Sequence, residues 1–229
     1  RKVEVRKCLY LCENHEWERA LLFARNAVRM KAPFYAYASG TISRMLLNYF
    51  NYPQETSGTG RYDMPQPDRI LCNGKLPYSY IRESGWPDEK LSIVEAIRYN
   101  HFRKYLNFQS SGKKQNIVLL AFSISPEESS SLLNIVYEAF KDRKDVEVWL
   151  RPHPALHLEN VFKLSGMLAK NFPFKIKNGR LEDILLKVKV VIAGESSVSI
   201  EAIACGCNVV IVEVPEWINM SPLKGIYSQ

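Results

Sequence analysis

The second half of the sequence is dominated by a regular alternation between short apolar runs and segments with helical spacing. Periodicity predicts strands at 117–122, 146–150, 174–176, 188–193 and 208–212, with a helix in each gap between them. Apolar runs of this length are typical of strands buried on both faces, and the intervening helices supply the crossovers that parallel strands need. The pattern therefore predicts an α/β fold with a doubly wound parallel sheet.

The first half shows the same kind of alternation. Strands are predicted at 3–11, 33–38 and 69–72, and helices at 13–30, 42–49, 76–84 and around 93–99. Residues 51–68 are rich in Pro, Gly, Ser and Thr, and they predict a long loop of the kind that is often functional. A polar stretch at 109–115 predicts a linker, which gives two domains, 1–108 and 109–229.

The composition is that of a globular chain, with 46% hydrophobic and 24% charged residues among 229. Apolar runs are all shorter than the roughly 20 residues that span a bilayer. The basic and then apolar start is predicted to be a strand rather than a signal peptide, because its apolar core is short and acidic residues follow. Five cysteines without paired CxxC spacing predict free thiols and a cytoplasmic location.

The formal net charge of +7 predicts an anionic partner. That partner is a phosphate-bearing small molecule, an acidic membrane face or a nucleic acid. The chain carries no long Lys/Arg run and no RNA-binding signature, so a nucleic acid is not expected.

Ligands of open parallel sheets bind beyond the carboxyl ends of the strands, and polar residues fill nearly all of those positions in this sequence. The stretch from Val188 to Glu201 predicts a strand, a small polar turn and a helix. Unpaired N–H groups at such a helix start favour an anion, and Ser196 and Ser197 add hydroxyl groups there. The alternative is that these serines only cap the helix.

The Arg151-Pro152-His153-Pro154 element follows another strand. The two prolines restrict the backbone around the histidine. A fixed His beside an Arg suits recognition of a phosphate or carboxylate. The alternative is a rigid strand exit with a solvent-exposed His.

Carboxylates supply the candidates for proton transfer. Glu13 and Glu16 follow the first strand and are candidate general bases, or else acidic residues favoured in a first helical turn. Glu201 could bind a ribose or be a solvated helix residue. His101 and His157 have no partner pattern, and no GxSxG, Walker, HExxH or paired CxxC motif is present.

The RPHP element, the segment GESSVSIEAIACGCNVVIVE and the preceding GRLEDILLKVKVVI together resemble the C-terminal half of GT-B glycosyltransferases. The bacterial surface-polysaccharide branches, which make capsule and lipopolysaccharide, are the most similar. YLCENHEWERAL and PDRILCNG resemble surface carbohydrate biosynthesis proteins with a WE motif. The chain looks like a partial GT-B, with two Rossmann-like domains of which the N-terminal one is shortened, so an isolated fragment could fold and still be inactive.

The resemblance implies a nucleotide-sugar donor bound by the C-terminal domain, with His153 contacting the nucleotide and Ser196 and Ser197 the phosphate. A base from the N-terminal domain would activate the acceptor, with Glu13 or Glu16 as the candidate. The full set of expected ligand contacts is Ser123, Ser125, Arg151, His153, Gly194, Glu195, Ser196, Ser197 and Glu201.

The expected function is therefore a glycosyltransferase of surface polysaccharide synthesis. Its acceptor would be a carbohydrate or a lipid-linked molecule. The protein would be cytoplasmic, with a peripheral contact to the anionic inner membrane, and would use neither a metal nor another cofactor. The alternatives are a nucleotide-sugar epimerase of the same fold and a non-catalytic binding module.

Overall fold

A computed structural model describes residues 4–56, 64–106, 114–168, 172–215, 217–224 and 226. The chain divides into two compact units, Arg1–Asn100 and His101–Gln229. The boundary predicted from the sequence, after residue 108, lies eight residues beyond the division between these two units. The predicted linker, 109–115, lies mostly outside the described residues.

The first unit is built on a four-stranded parallel sheet with the order β1-β2-β3-β4. Its strands are β1 (Cys8–Leu11), β2 (Phe34–Ala38), β3 (Arg69–Cys72) and β4 (Leu91–Ile93). Its helices are α1 (Glu16–Ala27), α2 (Pro53–Thr56) and α3 (Lys75–Glu83), with 3₁₀ turns at Leu47–Tyr49 and Asp88–Lys90.

The second unit contains a five-stranded parallel sheet with the order β7-β6-β5-β8-β9. Its strands are β5 (Gln115–Ala121), β6 (Glu147–Arg151), β7 (Lys175–Ile176), β8 (Val188–Ala193) and β9 (Asn208–Ile211). Its helices are α4 (Arg103–Leu106), α5 (Pro126–Phe140), α6 (Leu158–Ser165), α7 (Leu181–Leu185) and α8 (Val198–Ala204). A 3₁₀ helix, Ile97–Phe102, precedes α4.

Strand order reverses between β5 and β8, because the chain winds outward from β5 through β6 to β7 and then returns to the other side. The core on one face of this sheet joins Leu120 of β5 and Leu150 of β6 to Leu132 of α5 and Val161 of α6, all fully buried. This packing fixes the strand ends, and the point of reversal is where doubly wound sheets bind ligands.

The predicted α/β fold with two parallel, Rossmann-like sheets is confirmed. The helix predicted at 42–49 is wrong, since this segment holds only a 3₁₀ turn at Leu47–Tyr49. The helix predicted around 93–99 is also wrong, because Leu91–Ile93 forms β4 and a 3₁₀ helix begins at Ile97. Of the predicted 51–68 loop, Pro53–Thr56 is a helical turn, and 57–63 lie outside the described residues.

Within the described ranges, no helix combines the length and the apolar character that crossing a bilayer requires. All five cysteines are free thiols.

Candidate functional site

The carboxyl ends of β6, β5 and β8 lie side by side at one edge of the second sheet. Neighbouring strands are about 4.8 Å apart, so the ends of β6 and β8 lie about 10 Å from each other, with the end of β5 between them. The expected ligand contacts from Ser123 to Ser197 follow these three strands, except Arg151, which is the last residue of β6. The sequence-predicted residues of the second unit therefore share one sheet edge, centred on the point where strand order reverses.

The turn after β8 is held by a residue that the sequence did not single out. The backbone N–H of Glu195 donates to Glu128 Oε1 over 3.0 Å. Glu128 comes from the first turn of α5 and is buried, with only 6% of its surface exposed. This contact joins α5 to the Gly194–Ser197 turn across the point of reversal.

Ser196 and Ser197 use their hydroxyl groups differently. Ser196 is buried, and its Oγ accepts a long hydrogen bond of 3.4 Å from the Val198 N–H. Ser197 is the residue before α8, yet its side chain makes no capping hydrogen bond. Within the described part of the chain its hydroxyl has no partner, so it remains available to a ligand.

Glu195 lies between Ser123 and Glu128. Burial and the nearby Glu128 charge raise the pKa of Glu195, and a hydrogen bond from the Ser123 hydroxyl opposes that rise. A carboxyl group with a raised pKa carries less negative charge as the pH falls, which favours a nearby anion. Glu195 thus makes the charge of this edge dependent on pH.

Arg151 is the last residue of β6, one residue further into the strand than predicted, and His153 follows the strand. One guanidinium nitrogen of Arg151 donates to the Lys177 carbonyl over 3.3 Å, which ties the ends of β6 and β7 together. The Ala155 N–H donates to His153 Nδ1 over 3.2 Å. Because Nδ1 accepts, the neutral ring carries its proton on Nε2, which is left as a donor for a phosphate or hydroxyl.

The three other predicted contacts are Ser123, Ser125 and Glu201, and the two serines hydrogen-bond to neighbouring backbone groups. Ser125 caps α5, since its Oγ accepts from the Glu128 N–H over 3.2 Å and donates to Glu127. Ser123 is buried, and its Oγ accepts from the Ser125 N–H. Glu201 lies in the first turn of α8 and is partly buried.

In the first unit, Glu13 and His15 follow β1 and pair with each other. His15 Nε2 and Glu13 Oε2 are 3.1 Å apart, and both side chains are about half exposed. Glu16 begins α1 and is exposed, with no hydrogen bond or ion pair to another described residue. Glu13 is therefore oriented by a histidine, whereas Glu16 projects from the helix start without such support.

The loop that carries Glu13 is firmly anchored. The buried Glu18 accepts the N–H groups of both Glu13 and His15 through Oε1, each over 2.9 Å. The Asn48 side chain donates to the Glu13 carbonyl over 2.9 Å, and Tyr49 donates to the Cys12 carbonyl. These contacts hold a pair of residues that can accept and pass on a proton at the carboxyl end of β1.

Sequence reasoning did not assign Glu128 or His15 a role. Both occur in motifs that it did examine, the Ser-Pro-Glu-Glu start of α5 and the acidic segment after β1. The hydrogen-bond partner of Glu128 is 67 positions away in the sequence, so no local pattern indicates the contact. Among the described residues, no group of three or more His, Cys, Asp or Glu side chains is arranged to hold a metal ion.

No protein-family model matches this chain, and no curated protein sequence matches it. Solved structures with a similar fold include S. aureus MnaA with UDP, at 15% identity and a TM-score of 0.53, covering 91% of this chain and 57% of that one. Anabaena HepE in complex with UDP and glucose matches at 14% identity and a TM-score of 0.50, covering 89% and 58%. Methanocaldococcus jannaschii UDP-GlcNAc 2-epimerase in complex with UDP-GlcNAc and UDP matches at 10% identity and a TM-score of 0.50, covering 85% and 64%.

This chain therefore spans less than two thirds of the length of each of these structures. At such low identity, the likeness bears on the fold alone. Together with the two parallel sheets, it shows that the chain has an α/β fold of the GT-B type.

Proposed function

We propose that the protein binds the diphosphate of a nucleotide sugar at the carboxyl edge of β6, β5 and β8 and transfers the sugar to an acceptor. The observation that carries this proposal is the pair of uncommitted donors on that edge. The Ser197 hydroxyl and the His153 Nε2–H follow two strands that are separated only by β5, so donors from both strand ends lie along the same edge of the sheet. The GT-B fold adds support, because similar structures have been solved with UDP.

The expected roles follow from the geometry of each group. Ser197 and the N–H groups beside it receive one phosphate, His153 donates to the other, and Arg151 contributes positive charge from the end of β6. These donors stabilise the charge that develops on the leaving phosphate. Glu201, in the first turn of α8, is proposed to bind the ribose.

The acceptor hydroxyl must lose a proton, and the first unit supplies the proposed base. Glu13 is the stronger of the two predicted candidates, because His15 lies within hydrogen-bond distance and its loop is anchored. The same pairing allows the proton to pass between imidazole and carboxylate. The proposed acceptor is a carbohydrate or lipid-linked molecule of bacterial surface polysaccharide synthesis, reached from the cytoplasmic face of an anionic membrane.

A nucleotide-sugar epimerase is the second candidate, because one structure of similar fold is a UDP-GlcNAc 2-epimerase. An epimerase inverts one stereocentre of the sugar and needs no acceptor, whereas a transferase leaves the donor unchanged until an acceptor is added. NMR of UDP-GlcNAc incubated with the protein alone separates the two. New sugar signals with no acceptor would favour the epimerase.

Donor binding is tested by calorimetric titration with UDP-, GDP- and CDP-linked sugars. We expect one nucleotide class to bind, and His153→Ala to weaken that binding by about tenfold, since a hydrogen bond to a charged group is worth about 1.5–3 kcal/mol. Asp145→Asn is a suitable control, because Asp145 is exposed and pairs with Arg143 just before β6, at the opposite end of that strand. Absence of binding to every donor would contradict the proposed function.

A further inference from the structure

Only one of the two carboxyl oxygens of the buried Glu128 has a hydrogen-bond partner among the described residues. Its Oε1 accepts the Glu195 N–H, whereas its Oε2 is buried and has no hydrogen-bond partner among the described residues. Leaving a buried polar atom without a partner is costly, so such an atom in a folded protein requires an explanation. The cap of α5 is not that explanation, because Ser125 already supplies it.

Gly194 is the residue that makes room for this carboxyl group. A Cβ at position 194 would overlap with Glu128 Oε1 and would come within 3.0 Å of Glu128 Cδ and 3.3 Å of Leu132 Cδ1. The backbone of Gly194 does not have a positive φ, so the glycine is needed for space and not for conformational freedom. Residue 194 and residue 128 are thus matched to each other.

The atom that Glu128 holds belongs to the turn proposed to receive phosphate. Glu195 N–H lies two residues before Ser197, whose hydroxyl is uncommitted. Moving the Glu128 carboxyl group would release the start of this turn and shift the donors that follow it. A misplacement of about 1 Å is enough to lose much of the benefit of a preorganised site.

We propose that Glu128 is a positioning residue of the nucleotide site: its carboxyl group, seated in the space left by Gly194, holds the Gly194–Ser197 turn in the shape that receives a phosphate. This inference rests on the proposed function for the identity of the ligand. It adds a residue on α5 that acts through the Glu195 backbone and does not itself touch the nucleotide.

Glu128 also sets the charge around the turn. Its carboxylate contributes to the raised pKa of Glu195, after burial, while the Ser123 hydroxyl opposes the rise. Glu213, after β9, lines the same small crevice and is the remaining acid there among the described residues. Replacing Glu128 by a neutral residue therefore lowers the pKa of Glu195.

A double-mutant cycle tests the match between the two residues, with UDP as the probe and affinity measured by calorimetry. We expect Glu128→Ala and Gly194→Ala each to weaken UDP binding by about tenfold, as for the loss of one positioning hydrogen bond. In the Glu128→Ala background the added methyl group meets only the end of the Leu132 side chain, at 3.3 Å, so Gly194→Ala should then cost less than twofold. Equal costs of Gly194→Ala in both backgrounds would overturn the proposal.

The conservative variant Glu128→Gln separates positioning from simple packing. Its amide oxygen can still accept the Glu195 N–H, so UDP affinity should stay within about threefold of the wild type. UDP binding should weaken as the pH rises through the pKa of Glu195, because the ionised carboxylate repels a phosphate. In Glu128→Gln the Glu195 pKa is lower, so this weakening should occur at a lower pH. A purely structural role predicts no movement of the pH profile, and Glu138→Gln at the far end of α5 is the matched control.

Amide hydrogen exchange at Glu195 gives a readout that needs no ligand. Exchange should accelerate at least tenfold in Glu128→Ala and stay near the wild-type rate in Glu128→Gln. If the wild type binds none of the nucleotide-sugar donors, the proposed function fails, and this exchange comparison alone decides the present inference. Unchanged exchange in Glu128→Ala would refute it whatever the nucleotide does.

Discussion

Ser197 and Ser199 lie two residues apart around the start of α8 and use their hydroxyl groups for different purposes. Ser199 is fully buried, and its Oγ donates to the Ser196 carbonyl over 2.9 Å. Ser197 makes no such bond within the described residues. The two serines therefore allow binding and stability to be separated by the same substitution.

Ser197→Ala should weaken UDP binding by tenfold or more, because it removes a donor to a charged phosphate worth about 1.5–3 kcal/mol. The free energy of unfolding of Ser197→Ala should equal that of the wild type. Ser199→Ala should remove one of the two donors to the Ser196 carbonyl, which the Ser199 N–H also contacts, and lower stability by about 1 kcal/mol. Calorimetry and urea denaturation measure the two effects, and a loss of stability in Ser197→Ala would argue that its hydroxyl has a structural role.

Glu195 should make stability depend on pH. Its pKa is raised in the folded protein, chiefly by burial, so the folded state resists ionisation more than the unfolded state does. The resulting penalty is absent below the unfolded pKa of 4.5 and grows as the pH rises through the higher folded value. Glu195→Gln should therefore be more stable than the wild type at pH 7, with the advantage shrinking as the pH approaches 4.5.

Denaturant titrations of both proteins between those pH values measure this difference. An advantage of Glu195→Gln that is constant with pH would contradict the assignment. The amide oxygen of Gln can still accept from the Ser123 hydroxyl, so the comparison isolates the charge.

At the scale of elements, α5 supports the site from its first turn. Ser125 caps the helix, Pro126 begins it and Glu128 reaches the turn after β8. The sequence predicted this helix start from Ser-Pro-Glu-Glu, because caps and first-turn prolines are local signals. It could not predict the tertiary contact of Glu128, which depends on α5 packing beside β8.

Ser125→Ala should lower stability by about 1 kcal/mol, the usual cost of losing an N-cap side chain. Ser131→Ala, within the same helix, should be neutral, since Ala favours helices at least as well as Ser does. Urea denaturation of the pair measures the cap alone. Equal stability of the two variants would contradict the role assigned to Ser125.

Elements in the first unit were predicted less well, for two physical reasons. In the 42–49 segment, the Ser43 hydroxyl accepts the Met45 N–H and the Ser43 carbonyl accepts the Leu46 N–H. These local bonds form a turn, which offers the chain an alternative to a helix. Ile42 and Tyr49 are buried and Leu46 packs against the same core, so their spacing matches a helical face although the segment is not an α-helix. The three-residue strand β4 is too short for periodicity to distinguish it from a helix, and pairing with β3 decides it.

At the scale of the whole molecule, the alternation of strands and helices in the sequence predicted the two parallel sheets. The residues at the carboxyl ends of their strands are mostly polar. The rule that ligands bind beyond the carboxyl ends of such strands predicts His153 and Ser197 on one edge from the sequence. Which hydroxyl groups and ring nitrogens are already occupied could not be predicted. That depends on contacts such as Ala155 with His153, which only the folded chain specifies.

A crystal structure of this chain soaked with UDP tests the central claim most directly. The account predicts density for the diphosphate against the Gly194–Ser197 turn, within hydrogen-bond distance of the Ser197 hydroxyl and of His153 Nε2. Nucleotide density elsewhere on the molecule, with this edge of the second sheet empty, would contradict it.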